Sequence, residues 1–452
     1  MNSDRKIIFA LAIPAVLQTI VRSLFVIIDA FWVGKLGSKE LAAITVATFL
    51  VWGILALGEM VAVGTNSLVA QRTGANDIGM AKKISSLNIL NTLFFSIFLG
   101  LAIIPILPLM YWFMNLQQPE ILLANKYLIT LLIGLPCITL LSTSSAIFRG
   151  YGDTKTPFYM FVFAVVLNIF LAPLFIFGIN GFLKFGMTGA AFSTLISFLT
   201  AFIISFIILQ KRNLIEKLRN LKAGWKIFLE TIKIGVPVAI NGVAFSLIYV
   251  FVARFVSDYG TVGFAALGIG HRSESIAFQM CVGFSLAATI MVGQNVGAGD
   301  VKKAERLAWK ILGYGAIIMI GYATLLFIFS GEVARFFIDD NEIIKAASVY
   351  NKFAASVMIF SAAEVILGGA FSGAGNTTPT VVIGLPINFM RIPLCAIFSP
   401  LYGLYGIWFA ICVTVVLKGV LVMLWFKKGN WKKKKIAFAE TPPAIEKSHY
   451  EL

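Results

Sequence analysis

Apolar residues occupy this chain in long runs separated by short polar stretches. Most runs are apolar on every face, so neither an amphipathic helical stripe nor strand alternation describes them. About 20 consecutive apolar residues cross a bilayer as a helix. The pattern predicts helices at about 7–34, 42–70, 82–112, 122–147, 156–178, 185–210, 227–256, 262–293, 303–330, 343–371, 379–400 and 402–426. The expected fold class is an all-α polytopic membrane protein of about twelve transmembrane helices. Prolines 14, 136, 157, 173, 237, 386 and 393 fall inside these runs and predict kinks, since proline removes a backbone hydrogen bond.

Composition agrees. Of 452 residues, 59% are hydrophobic and only 13% charged, about half the soluble norm of roughly 25%. The net charge of +16 would suggest nucleic acid in a soluble protein. Here the basic residues gather in alternate loops, which excludes that reading. One set holds Arg5, Lys6, Arg72, Lys82, Lys83, Arg149, Lys155, the 211–226 segment, Lys302, Lys303, Arg306 and the 427–435 tail. The other holds only Lys35, Lys39, Lys126, Lys184, Arg335, Lys345 and Lys352. The positive-inside rule then places both termini in the cytoplasm of a multi-pass inner (plasma) membrane protein, which requires an even number of spans. The run after Lys6 is too long for a cleaved signal, so the first helix is expected to be retained. Cys137, Cys281, Cys395 and Cys412 lie in apolar runs without metal spacing and read as small core residues.

The chain repeats itself at an offset of 223 residues. Pro14 pairs with Pro237, AQRTGAND (70–77) with GQNVGAGD (293–300), and AIFRGYGDT (146–154) with GAFSGAGNT (369–377). After the fifth helix the second copy is six residues shorter. Six spans per copy is even, so the copies share one orientation, a parallel repeat about an axis along the membrane normal. The expected domains are an N-lobe (1–210), a basic linker (211–226), a C-lobe (227–426) and a basic, disordered tail (427–452). The Gln71/Gln294 motifs end helices. Gly74 and Gly297 suit a helix C′ position with positive φ. Asp77 and Asp300 suit N-caps, with an added role at a cytoplasmic gate as the alternative.

Charges within the spans stand out, because each costs about 2.5–3.5 kcal/mol at the bilayer centre on insertion scales. Asp29 in the first helix is the leading functional candidate. Arg22, roughly 10 Å along the same helix, is near enough to bias it. Structural alternatives for Asp29 are a pair with Arg22 or a cap by backbone donors.

Four stretches together carry a resemblance: IPAVLQTIVRSLFVIIDAFWVGKLG, AQRTGAND/GQNVGAGD, RGYGDTKTPFYM…LNIFLAPLFIFG and GAGNTTPT…MRIPL. Over about residues 7–426 the chain resembles a multidrug and toxic compound extrusion (MATE) transporter. The resemblance implies two six-helix lobes around a V-shaped cavity, alternating access, and export of organic cations or amphipathic drugs in exchange for H⁺ or Na⁺. It further implies cation coupling at Asp29 with Asn168 and Thr194, where the same three residues would hold Na⁺. No other cofactor is expected, and the partners are small-molecule drugs and membrane lipids around a monomer.

Departures from the family pattern leave the subfamily between DinF-like and NorM-like. Ala172 stands where DinF-like and archaeal members carry a second acid. No acid lies near Ala244–Phe245, and Glu364 lies one turn past the tenth-helix acid position of NorM-like members. Glu59 is a candidate to replace the acid missing at Ala172, against a protonated glutamate hydrogen-bonded between helices. Glu274, His271, Glu364 and Arg391 are candidates for a C-lobe substrate or proton site. Arg391 is the repeat counterpart of Asn168, and a Glu364–Arg391 pair would neutralise the C-lobe structurally. Arg254 and Lys418 are expected to snorkel near helix ends.

H⁺ is expected ahead of Na⁺ as coupling ion. A lipid or lipid-linked oligosaccharide flippase of the wider superfamily is the alternative, though such proteins often have fourteen helices. An integral membrane enzyme would need a metal cluster or a nucleophile–base set. His271 and His449 are the only histidines, and neither arrangement is visible. No Walker A pattern marks ATP as the energy source.

Overall fold

The computed structural model describes residues 2–36, 50–51, 53–113, 118–178, 184–216 and 224–433. No strand occurs among them. Eleven helices are long and apolar enough to span a membrane: α1 (Asp4–Gly34), α2 (Gly53–Gly74), α3 (Ile78–Tyr111), α5 (Lys155–Phe177), α6 (Met187–Lys211), α7 (Trp225–Ser257), α8 (Gly260–Gly297), α9 (Val301–Ile328), α10 (Asn341–Gly373), α11 (Thr378–Tyr402) and α12 (Leu404–Lys428). The twelfth, α4, is a pair, Ala124–Ile133 and Leu135–Gly150, bent by 49°. The bend sits at Gly134 and Pro136, where proline has no amide to donate. Chain termination follows local chemistry. Asp77 and Asp300 accept from the amides of Met80 and Lys303, 3.0 and 2.9 Å away, and so start α3 and α9. Gly178 and Gly429 end α5 and α12 with φ of 73° and 79°.

The repeat appears as two lobes with exchanged beginnings. Ile8 and Ala12 of α1 belong to the C-lobe core, whereas Phe25 and Val33 of the same helix belong to the N-lobe core. Reciprocally, Ile227 and Ile234 of α7 pack with Leu68, Ile84 and Leu87 of the N-lobe, and α7 finishes in the C-lobe core with Ile248 and Val252. Pro14 and Pro237 lie in the crossing halves.

Contacts between lobes concentrate at the end carrying the described termini. There Gly74 lies on the backbone carbonyl of Gln294, and Gly297 lies on that of Gln71. A Cβ at either glycine would collide with the partner backbone. Gln71 Nε2 donates to the Gly373 carbonyl at 2.8 Å, and Gln294 Nε2 donates to the Gly150 carbonyl at 3.2 Å. Each of these pairs is the other shifted by the repeat. Ser67 adds a bond to the Ser372 carbonyl, and Asp4 an ion pair with Lys310 at 2.6 Å. Midway along α1 and α8, Gln279 donates to Ser23 and Thr19 donates to the Gln279 carbonyl. Beyond that level no hydrogen bond or ion pair joins the lobes among the described residues. Among the described residues the lobes are thus tied together at one end only.

Two expectations about the ends need correction. Gly74 and Gly297 are the last residues of their helices and are selected by close approach. The positive φ falls two residues later, at Asn76 (57°) and Gly299 (79°). The tail does not start disordered at 427: Trp431 is buried, stacked on Phe426, and donates to the Phe426 carbonyl. Lys432 pairs with Glu305 at 2.6 Å. The part of the tail after 433, the start expected for α2 at 42–49 and the centre of the basic linker lie outside the described residues.

Outward-facing phenylalanines and leucines such as Phe94, Phe98 and Leu101 are more than half exposed along α3. On a membrane protein this is the lipid-facing surface, where apolar side chains cost nothing.

Candidate functional site

Three predicted residues from three helices meet inside the N-lobe. Thr194 on α6 donates its hydroxyl to Asp29 Oδ2 on α1 at 3.0 Å. Asn168 on α5 donates its amide to Thr194 at 3.1 Å and to Ser193 at 3.3 Å. All four residues are buried. Phe25 stacks on Phe198 at 4.6 Å one turn from the acid, and Phe161 closes edge-on against Phe198. Asp29 Oδ1 and Asn168 Oδ1 have no hydrogen-bond partner. No cationic side chain pairs with Asp29 among the described residues, so the expected alternative of an Arg22 partner is excluded. A buried carboxylate with one unpartnered oxygen can take up H⁺, and hard cations such as Na⁺ also favour oxygen ligands. Ser193 had no sequence signal beyond its place beside Thr194.

Arg22 turns elsewhere. Its guanidinium meets Glu59 at 2.6 Å, and Ser142 of α4 donates to the same carboxylate oxygen at 2.8 Å. Glu59 lies within α2, and both charges remain partly exposed. The structure therefore does not bring Glu59 to Asp29: Glu59 is held by Arg22, and Ala172 is packed in the apolar N-lobe core. Nearby, the buried Arg149 donates to Gln18 at 3.4 Å, with its Nε unpartnered. Ser142 itself is marked in the sequence only by its place in the polar run LSTSSA.

The C-lobe candidates divide into two groups. Glu364 pairs with Lys418 of α12 at 2.9 Å, so the expected Glu364–Arg391 pair is not formed. Lys418 does not snorkel either; its side chain is 6% exposed, because Glu364 supplies a partner inside the lobe. Arg254 does lie exposed, paired with Asp258 at 2.9 Å. In the second group, Arg391 Nε donates to Thr414 at 3.0 Å and the guanidinium lies over the Tyr249 ring at 5.4 Å. His271 packs edge-on against Tyr249 at 4.5 Å, and Glu274 accepts from the Tyr350 hydroxyl at 2.9 Å. Tyr249, Tyr350 and Thr414 lay unmarked within apolar helices. No group of three or more metal-ligating side chains exists among the described residues.

The family model MatE matches residues 14–174 and again 237–397. The chain belongs to the MatE family. The two matched windows start 223 residues apart, the offset of the internal repeat. Among curated relatives, the probable multidrug resistance protein NorM of Thermotoga maritima is 28% identical, over 96% of this chain and 95% of its own. The probable multidrug resistance protein YpnP of Bacillus subtilis is 29% identical, over 94% and 95%. A MOP superfamily transporter from Pyrococcus furiosus superposes with a TM-score of 0.87 at 23% identity, over 95% of this chain and 97% of that one. This MatE chain is thus a multi-pass membrane transporter, related over its full length to proteins named for multidrug resistance.

Proposed function

We propose that this MatE protein is an antiporter that exports cationic or amphipathic drugs in exchange for H⁺, with Na⁺ as the alternative coupling ion. The observation that carries the reading is the buried Asp29 carboxylate, which pairs with no cationic side chain among the described residues and accepts the Thr194 hydroxyl, itself held by Asn168. It stands in a two-lobe protein joined at one end only.

A buried carboxylate is costly when ionised and alone. Binding one cation removes that cost, and binding a second has no comparable gain. H⁺ (or Na⁺) and a cationic drug therefore compete for Asp29, which is the simplest chemistry for exchange. With the closed end on the cytoplasmic side, as the basic loops argue, the cavity opens outward. The coupling cation enters to Asp29, Thr194 and Asn168, and drug leaves. The lobes then rock about the crossing halves of α1 and α7, the Gln71 and Gln294 contacts part, and the cation is released inside as drug binds. Protonation of Asp29 would remove its demand for the Thr194 hydroxyl and so loosen the tie from α1 to α6. Pro14 gives α1 a ready point of bending.

The flippase alternative is not favoured: the curated relatives described above are named for multidrug resistance. The test is efflux of a fluorescent organic cation from proteoliposomes under separately imposed pH and Na⁺ gradients. Efflux driven by neither gradient would refute antiport.

A further inference from the structure

The repeat leaves the two lobes with different charges in corresponding regions, but not at the same repeat position. Asn168 sits beside the N-lobe carboxylate Asp29. Its counterpart 223 residues on is Arg391, and the counterpart of Asp29 is the apolar Val252. The C-lobe thus presents a guanidinium where the N-lobe presents the amide beside its acid, and has no acid at the position of Asp29. Arg391 is 1% exposed, carries no ion pair among the described residues, and leaves Nη1 without a hydrogen-bond partner. His271 Nε2 is also unpartnered. An unpaired buried guanidinium is among the costlier things a fold can hold. Its fork geometry matches a carboxylate or phosphate through two parallel bonds.

The cluster also reaches toward the space between the lobes. Gly242 on α7 approaches Ala56 of the N-lobe. Tyr249 follows seven residues later on the same helical face, half-buried, with Phe245 packed against it at 4.6 Å. The Arg391 cation lies over that Tyr249 ring, 5.4 Å from its centroid. Phe245 is exposed and Tyr249 half-buried, so aromatic surface lies outside the buried guanidinium. Glu274 is the group in range that opposes an anion. It is held by Tyr350 and makes no ion pair with Arg391.

The geometry points to Arg391, with Tyr249 and Phe245, as a subsite for the carboxylate or phosphate of planar aromatic substrates, whose cationic end would face Asp29. The protein would then prefer zwitterions to plain cations of the same shape. This deepens the drug-export reading and rests on it.

The probes are ciprofloxacin, a zwitterion, and its methyl ester, which keeps the amine and lacks the carboxylate. Binding is measured by fluorescence on the purified chain in nanodiscs, and efflux in proteoliposomes beside a plain organic cation. Wild type should bind the zwitterion about tenfold more tightly than the ester, the worth of a charge-assisted hydrogen bond. Arg391→Gln should erase that preference while ester affinity stays within about twofold, the ester reporting that the protein is folded. Arg391→Lys, which keeps the charge without the fork, should fall between, and serves if the glutamine variant does not fold. Glu274→Gln should hold or tighten zwitterion binding. Equal wild-type affinity for the two probes, equal loss of both in the Arg391 variants, or loss in Glu274→Gln matching that in Arg391→Gln overturns the subsite. Export of the plain cation alongside equal affinities overturns the subsite and leaves the export reading standing. Export of none of the three compounds overturns both.

Discussion

Replacing Gln71 and Gln294 together by alanine should weaken the closed end of the protein without touching either charged cluster. Each side chain contributes one hydrogen bond between lobes, to the carbonyls of Gly373 and Gly150 at 2.8 and 3.2 Å. A buried neutral bond contributes about 0.5–1.5 kcal/mol net, so the pair contributes about 1–3 kcal/mol to closure. The loss is specific to the closed state, because water hydrates those carbonyls once the lobes part. A bias of that size changes the ratio of closed to open forms by about 5- to 150-fold. Spin labels on cysteines at Lys83 and Arg306, repeat-related exposed positions on α3 and α9, report the distance across this end. The three buried native cysteines and Cys137 would be replaced first. The account predicts a longer-distance population that grows at the expense of the short one in the double variant, with each single variant intermediate. Unchanged distance distributions in a correctly inserted double variant would refute the assignment of these residues to closure. Gly74→Val provides an independent check in the same direction: its side chain has no room beside Gln294 when closed, so the long distance should dominate.

Other expectations follow from the same geometry. Asp29→Asn should insert normally and lose gradient-driven efflux; wild-type rates would remove Asp29 from the coupling step. Thr194→Val should lower coupled efflux and alter the dependence on the driving cation, while apparent affinity for drug stays close to wild type. Glu364→Leu strands the Lys418 charge and should cost about 3–5 kcal/mol by the general behaviour of broken buried pairs, whereas Glu364→Leu with Lys418→Met should recover most of the thermal stability in detergent. Burial pulls the Asp153 carboxyl up, yet the Thr156 hydroxyl, its amide and Arg212 at 2.7 Å outweigh this and hold it below the usual carboxylate value. Its contribution to stability is therefore present above the unfolded pKa of about 3.9 and lost as pH falls through the lower folded value. Melting temperatures of wild type and Asp153→Asn should differ at neutral pH and converge in acid.

Much of the architecture could be read because membrane spans announce themselves by length and composition alone. The offset of 223 linked the halves, and Asn168 and Thr194 were placed near Asp29 by family motif. Pairings among charges were harder to read. Arg22 and Asp29 share a helical face, yet Glu59 on α2, 37 residues away, captures the arginine at 2.6 Å. Lys418 is expected to snorkel near a helix end, but Glu364 of α10 supplies a partner and holds the lysine inside the lobe. The exchange of helix beginnings between lobes left no trace, since helices apolar on all faces carry no mark of which neighbour they choose. The glycines of the closing motif were conspicuous, but sequence could not tell a glycine chosen for positive φ from one chosen so that two backbones can touch.

The central claim is that Asp29 alternates between a coupling cation and a drug. The most direct measurement is efflux of a fluorescent organic cation from proteoliposomes under a pH gradient alone and a Na⁺ gradient alone, for wild type and Asp29→Asn side by side. The account predicts efflux driven by the pH gradient in wild type and none in the variant. Equal efflux from both proteins, or wild-type efflux that ignores both gradients, would contradict it.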